Sequence, residues 1–507
     1  MTEQSANNKR IAKNTLLLYF RMVILMFVTL YTSRVILDAL GVEDYGIYNV
    51  VGGVVGLLGF FMSSLTNVSQ RYLNLGIGFN DDCLTIKYFK QCGTILFLFS
   101  LFVLFIGETI GLWFVMNKLI VPSERIVATF WVYQFSLISI ICSINQVNFL
   151  GAIIAHEKMN VYAYLGLFEA VARLLVAFLI VNSTFDHLIL YSALTAMVSV
   201  IVFVFHFLYC HFKFETCRIG FHWDRPLVRE MFSFISANLF GCLAWSAGVQ
   251  GSNIVMNIFF GPVVNAAKGI SAQITAVVSR FTDNVMTAIK PQIIKSYASG
   301  DIAYTLNLAM KSSKLSFFIS AIISVPILIE TEYIISLWLS RVPEFTVVFS
   351  RIVVVEAFAT VFVSPLWIVA NATGNIKRNQ VYGRIFSLLA LPISYVTLIY
   401  LPIPVLPVII CALMQFCYWG YCVYDIKRQL NLSIKSYLAQ VVFPSFSLLG
   451  LLLLFGILVS KVSVSDTLVI FLMKVAILIL MGAILSYLFM TKSEKTMVKS
   501  LVLKKKH

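Results

Sequence analysis

Charge is scarce in this sequence. Asp, Glu, Lys and Arg make up 12% of 507 residues, against about 25% in a soluble domain. No loop of tens of polar residues interrupts the chain, and proline is thinly spread, with 12 in all. These shortages exclude a disordered or collagen-like chain and a coiled coil. The nine cysteines contain no CxxC pair, which argues against a disulfide scaffold or a thioredoxin-like centre. Cys210, His211, Cys217 and His222 share one loop, but at no usual zinc-finger spacing. GxxxxGK[ST], HExxH and GxSxG are all missing. The chain therefore has no visible ATP-binding loop or hydrolytic set, and we expect neither cofactor nor metal nor enzymatic activity.

Hydrophobicity takes the place of charge. Apolar residues make up 60% of the chain and mean hydropathy is +0.90. No soluble fold has interior enough for that surface. The apolar runs last about 20 residues, the length a helix needs to cross about 30 Å of hydrocarbon. They do not alternate as barrel strands do. The sequence predicts an all-α polytopic membrane protein with fourteen spans, near 14–38, 46–69, 91–115, 126–150, 161–181, 187–209, 232–260, 267–290, 313–337, 347–371, 381–401, 405–424, 438–460 and 467–490.

The net charge of +15 would suggest nucleic acid in a soluble protein. Here it follows the positive-inside rule. With the N-terminus in the cytoplasm, inside segments hold 27 Lys and Arg, against 7 in outside turns and helix ends. Both termini are expected inside, and nucleic acid is not expected as a partner. Trp113, Trp131 and Trp338 fall near expected outer ends, as an interfacial aromatic belt would place them. The basic tail suits anionic membrane lipid.

The chain repeats itself weakly. DALGVEDYGIYNVV after the first span resembles IFFGPVVNAAKGIS after the seventh, with Gly41 on Gly261. At the same offset of 220, Asn80-Asp81 falls on Gly300-Asp301. Six spans per repeat is an even number, so the two halves are expected to be parallel. The reading is a six-helix lobe over 1–209, a cytoplasmic linker at 210–231, a second lobe over 232–424, and two extra helices with a basic tail at 425–507. Two such bundles would work by alternating access.

Charges inside spans are costly, so they mark function or pairing. Arg21 has only Leu and Ile as helical neighbours; it faces a cavity, finds a distant partner or snorkels to the interface. Arg173 follows Glu169 by four residues, the favourable order for a helix ion pair, and reads as a structural pair or a cavity cation. Arg280 and Asp283 sit on a polar stretch that suits a water-facing wall. Glu108, Glu356 and Asp283 are candidates for binding H⁺ or Na⁺; pairing with Lys474 or an arginine is the alternative. Gly52, Gly53, Gly56 and Gly59 mark a close-packing face. The cations Arg21, Arg173 and Arg280 together predict a cavity for an anionic substrate, since arginine recognises phosphate through its planar fork.

The run from Arg34 through Gly41, Tyr45 and Gly46 to Tyr48 resembles the R-x-L-G-x-x-x-Y-G-x-Y stretch of polysaccharide transporters. Ala155-His-Glu-Lys158 and Lys290-Pro-Gln292 are also similar to that family. These are Wzx-type flippases for O-antigen or capsule repeat units, in the multidrug/oligosaccharidyl-lipid/polysaccharide (MOP) superfamily, which also holds the multidrug and toxin extruders (MATE). The resemblance implies two six-helix lobes in the bacterial inner membrane. The implied activity is movement of undecaprenyl-pyrophosphate-linked oligosaccharide, with a polysaccharide polymerase and a chain-length regulator as partners. It also implies that Arg34, Gly41, Tyr45 and Gly46 are fold determinants rather than ligands. An H⁺- or Na⁺-coupled small-molecule extruder of the same fold is the alternative. A membrane polymerase or ligase is disfavoured, because every expected outer turn is short. A major-facilitator transporter lacks support, since its G-x-x-x-D-R loop is missing from 70–82.

Overall fold

The computed structural model describes residues 3–495, leaving out 60–61, 79–80, 157, 219, 374–377, 463–466 and 492–493; of residues 3–23 and of scattered helical positions further along, the backbone alone is described. Among the described residues all regular structure is helical. In order, the helices are α1 (Glu3–Leu58), α2 (Met62–Gly78), α3 (Asp82–Ile106), α4 (Leu112–Lys118), α5 (Ile126–Ala155), α6 (Met159–Val181), α7 (His187–Lys213), α8 (Arg225–Phe260), α9 (Pro262–Ala298), α10 (Ile302–Ile329), α11 (Thr331–Trp338), α12 (Thr346–Ala372), α13 (Ile385–Tyr400), α14 (Leu406–Leu430), α15 (Ile434–Tyr437), α16 (Phe443–Val462) and α17 (Leu468–Phe489). The fourteen expected spans fall on helical segments, the second divided between α1 and α2, the third between α3 and α4 and the ninth between α10 and α11. Eleven helical segments among the described residues are long and apolar enough to cross a membrane. The protein is an all-helical multi-pass membrane protein.

The chain forms two compact units. One comprises Met1–Gly269 with Trp338–Pro343, the other Ile270–Leu337 with Glu344–His507.

In the first unit, α1 turns sharply at Gly41, whose φ of 80° and ψ of 172° place it where a side chain is strained. The turn is held by Arg125 at the head of α5. Its Nε donates to Asp44 Oδ1 at 2.8 Å and its Nη2 to Asp44 Oδ2; its Nη1 donates to Asp186 Oδ2 at 2.5 Å. Asp186 also caps α7, accepting from the amides of Leu188 and Ile189 at 3.1 Å each. His187 Nδ1 meets the Ala39 carbonyl at 2.9 Å, and the Trp338 indole donates to the Leu30 carbonyl at 2.7 Å. Three turns distant in sequence are thus fastened at one end of this unit, which we term the turn end.

Past Gly41, α1 runs against the α8–α9 turn. A Cβ on Gly46 would stand 1.9 Å from the Pro262 carbonyl oxygen, so only glycine admits this approach. Asn257 completes the join by accepting from the Ile120 amide at 2.9 Å.

The opposite end carries the α7–α8 linker. Asp224 pairs with Lys87 at 2.6 Å, its amide donates to Gln91 Oε1 at 2.8 Å, and the His222 amide donates to Thr94 Oγ1 at 3.1 Å. Cys210 and Cys217 are buried there in an apolar cluster with Phe89, Phe149 and Phe214.

The second unit is centred on stacked aromatic rings. Phe317 stacks on Phe362 at 4.7 Å, and Phe362 on Trp419 at 4.5 Å. These rings join α10, α12 and α14. Helices α16 and α17 pack on α10, and α17 and the segment after it are fixed there by two buried ion pairs, Lys474–Glu330 and Lys314–Glu494, both at 2.9 Å. Lys474 therefore has its carboxylate partner on α10's end.

The repeat is visible in the backbone. Gly261 has φ 76° and ψ −170°, matching Gly41. Asp81 caps α3 by accepting from Leu84 N, and Asp301 caps α10 by accepting from Tyr304 N, both at 2.9 Å. Thr85 and Thr305 each return a hydroxyl bond of 2.8 Å to the carbonyl of the capping Asp. All three pairs keep the offset of 220.

Two tests follow from the turn end. Gly46→Ala forces backbone apart and should cost more than about 2 kcal/mol. Gly52→Ala meets nothing within 4 Å and should leave the thermal midpoint in detergent unchanged; equal midpoints would remove Gly46 from the fold's determinants. Burial opposes the Asp186 charge, but Arg125 and the two amides outweigh it and hold this carboxyl below the usual carboxylate range. A depressed carboxyl lends stability above its unfolded value and loses it as pH falls through the folded one. The midpoint should therefore drop as pH goes from about 5 to about 3, and Asp186→Asn should flatten that part of the profile.

Candidate binding cavity

Two helices of the first unit carry the same hydroxyl spacing. Ser136, Ser139 and Ser143 lie on α5, and Ser192, Thr195 and Ser199 on α7, with steps of three then four residues in both. That spacing keeps each set on one helix face. Helices α5 and α7 pack along their length, and the two faces meet over a cavity of about 280 Å³. Tyr48, Gly52, Val55 and Gly56 of α1 form a third wall, Arg173 of α6 a fourth, and Met62 and Ile140 complete the lining. A Cβ on Gly52 would meet nothing within 4 Å. The glycine leaves room here, whereas Gly53 and Gly59 are packed, a Cβ meeting Gln250 at 3.0 Å and Ile140 at 2.9 Å respectively.

The hydrogen-bond inventory defines what the cavity offers. Ser139 donates to the Phe135 carbonyl, Ser143 to that of Ser139, Ser192 to that of Ile189 and Ser199 to that of Thr195, at 2.8–3.1 Å. Each proton is spent on its own helix, which leaves the oxygens as acceptors. Thr195 Oγ1 is buried without a partner, so its proton remains to be donated. Arg173 donates through Nε and Nη2 to Glu169 Oε1 at 3.1 and 2.9 Å. Its remaining N–H groups lie at a lining whose charge Glu169 balances. Tyr48 and Tyr191 stack edge to face at 4.8 Å beside it. Hydroxyl acceptors, one spare hydroxyl proton and a compensated guanidinium suit a ligand rich in hydroxyls.

Among the described residues, the other sequence-predicted ones lie apart from this cavity's lining. The side chain of Arg21 is outside the described residues. Arg34 is half-buried on α1 ahead of the turn, and Tyr45 is buried just past it. Glu108 is exposed on the π-turn Gly107–Gly111 that links α3 to α4, and accepts from Gln134 Nε2 at 3.2 Å. In the second unit Arg280 is half-buried and Asp283 exposed on α9, with Glu356 half-buried on α12. The serine and threonine rows were not singled out by the sequence; their shared three-then-four spacing is the signal that would have found them.

No family model matches the chain, and no curated protein matches it. Solved structures do. The chain is similar to the lipid II flippase MurJ in an inward closed conformation, with TM-score 0.71 and 13% identity over 94% of this chain and 98% of that one. It is similar to an inward-facing multidrug resistance MATE family transporter of the MOP superfamily, at TM-score 0.68 and 12% identity over 81% and 97%. A third is a MOP superfamily transporter from Pyrococcus furiosus whose binding pocket is described as reversed in polarity, at 0.55 and 12% over 83% and 96%. These likenesses establish a MATE- and MurJ-like fold.

An unpartnered buried hydroxyl costs about 1 kcal/mol or more. Thr195→Val keeps the volume and removes that cost. It should raise the melting midpoint of the ligand-free protein while weakening binding in the cavity. A lowered midpoint would mean that the hydroxyl is already satisfied within the protein.

Proposed function

We propose that this protein is a flippase that carries an undecaprenyl-pyrophosphate-linked oligosaccharide repeat unit across the bacterial inner membrane, for assembly of a surface polysaccharide. The observation that carries the reading is the extent of the fold likeness. The lipid II flippase match covers 94% of this chain, the MATE and MOP transporter matches 81% and 83%. The flippase match thus extends over more of this chain than the transporter matches do. A hydroxyl-lined cavity in the first unit adds support, because sugars present matching donors and acceptors.

In this reading both termini and the α7–α8 linker are cytoplasmic, and the turn end faces outward. The lobes run 1–209 and 232–424, with 210–231 between them. Arg21, Arg173 and Arg280 serve the anionic lipid-linked substrate. The product passes to a polysaccharide polymerase and its chain-length regulator.

Cation-coupled extrusion of small molecules is the second reading, supported by a match covering 97% of a MATE transporter. There Glu108, Glu356 or Asp283 would bind H⁺ or Na⁺.

A deletion strain separates the two. Loss of flipping should leave completed lipid-linked units facing the cytoplasm and remove the surface polymer. Complementation with Arg173→Ala should restore at most about a tenth of the polymer, the loss expected for removing a charged hydrogen-bonding group. An intact surface with no accumulated units would overturn the flippase reading. Drug sensitivity that is rescued by the native protein, and not by Glu108→Gln or Glu356→Gln, would establish the extruder.

A further inference from the structure

The first unit holds a second concavity, just past the hydroxyl rows along α5 and α7, at the linker end. Helices α3 and α7 flank α5 and leave a groove of about 390 Å³ floored by Asn145, Asn148 and Phe149. The linker, through Arg218, Gly220 and Phe221, closes one end.

The groove has a polarity gradient. Its cations, Lys90 and Arg218, both lie at the linker end, and its lining contains no carboxylate. Among the described residues neither cation forms an ion pair. The Lys90 stem lies along Gly220, where a Cβ would meet Cε at 3.2 Å and Nζ at 3.5 Å. This contact brings the ammonium to the linker segment that carries Arg218. Away from the linker the walls are Leu96 and Phe97 on α3 and Phe203 and Phe207 on α7. Lys90 to Phe97 is about 10 Å along a helix.

The polar groups in the walls do not call for a polar ligand. Asn148 donates to the Phe89 carbonyl at 3.0 Å, Asn145 to that of Ile141 at 2.9 Å, and Thr94 to that of Lys90 at 2.9 Å. Both α3 and α7 are membrane-spanning by length and composition, and Phe97, 53% exposed, stands on the outward surface of α3. What fills a groove opening there comes from the bilayer. Two cations at one end and an aromatic trough about 10 Å long fit an amphiphile with an anionic head.

We propose that this groove binds an anionic phospholipid of the surrounding membrane, with its phosphate held by Lys90 and Arg218 and an acyl chain laid between Phe97 and Phe203 over Phe149. The bound lipid would pin the linker to α3, beside the Lys87–Asp224 pair that fastens the same segment. The site stands independently of what the protein transports.

Native mass spectrometry of the full chain, released from mixed micelles holding equal phosphatidylglycerol and phosphatidylcholine of the same acyl chains, tests this. The native protein should retain phosphatidylglycerol over phosphatidylcholine by on the order of tenfold, the scale set by two cations at a membrane surface. Lys90→Ala with Arg218→Ala should bring the two lipids to parity, and Lys90→Arg with Arg218→Lys should restore the preference. Equal retention by the native protein, or a preference unchanged in the double alanine variant, would overturn the proposal. So would displacement of the lipid by millimolar glycerol phosphate, which would make the site one for a soluble anion.

Discussion

Arg125 is a guanidinium placed between two carboxylates that belong to different helices. Asp44 lies just past the Gly41 turn of α1, Asp186 caps α7, and Arg125 itself opens α5. Partly buried charges are costly unless their partners are well placed, and removing one partner leaves the others uncompensated. The knot thus specifies geometry as much as it adds stability. It fixes where α1 resumes, and α1 carries Gly46 against Pro262 and Gly52 into the cavity. Three of the four walls of the hydroxyl-lined cavity, from α1, α5 and α7, radiate from this one cluster. The cavity keeps its shape because its helices are tied at their ends.

Inside a membrane this matters more than it would in water. Lipid and leucine are equally apolar, so burial drives helices together only weakly. Close approach at small residues and hydrogen bonds between distant segments decide the packing. Gly46 against the Pro262 carbonyl and Asn257 with the Ile120 backbone are contacts of that kind. The second unit uses charge for the same purpose. Lys314 and Glu330 stand about 24 Å apart along α10, and each pairs with a residue on or just past α17. Two such pairs fix the register of α17, since a slip of one turn would leave buried charges without partners on both sides.

How much of this was legible in the sequence depended on the range of the interaction. Helix spans were readable because hydropathy is local, and the Glu169–Arg173 pair because its partners are four residues apart. The repeat was readable at Gly41 and Gly261, where a turn demands glycine, and at Asp81 and Asp301, where a helix demands a cap. Thr85 and Thr305 obey the same offset but were not singled out, because a threonine one turn past a cap looks like any other. The pairs Lys474–Glu330 and Lys314–Glu494 span 144 and 180 residues, and nothing local announces them. The serine rows had a visible period. A serine that bonds back to its own helix is commonplace in membrane spans, so only the meeting of two rows with a glycine wall gives it meaning.

The charge of the cavity follows from the same distinction between local and distant partners. Without Glu169, Arg173 would be a free cation and the cavity an anion trap. With Glu169 on its Nε and Nη2, the guanidinium contributes direction more than net charge. A neutral ligand would meet donors from Arg173 and Thr195 and acceptors from the serines. A phosphate would have to compete with a carboxylate already in place. The cavity's chemistry thus favours the uncharged, hydroxyl-rich part of an amphiphile. The unbalanced cations of the first unit's grooves, Lys90 and Arg218, lie instead at the linker end, where an acidic head would meet the membrane surface. In the two proposed readings, sugar-like and phosphate-like recognition would be separated within one unit, because only the first can be buried without a counter-charge.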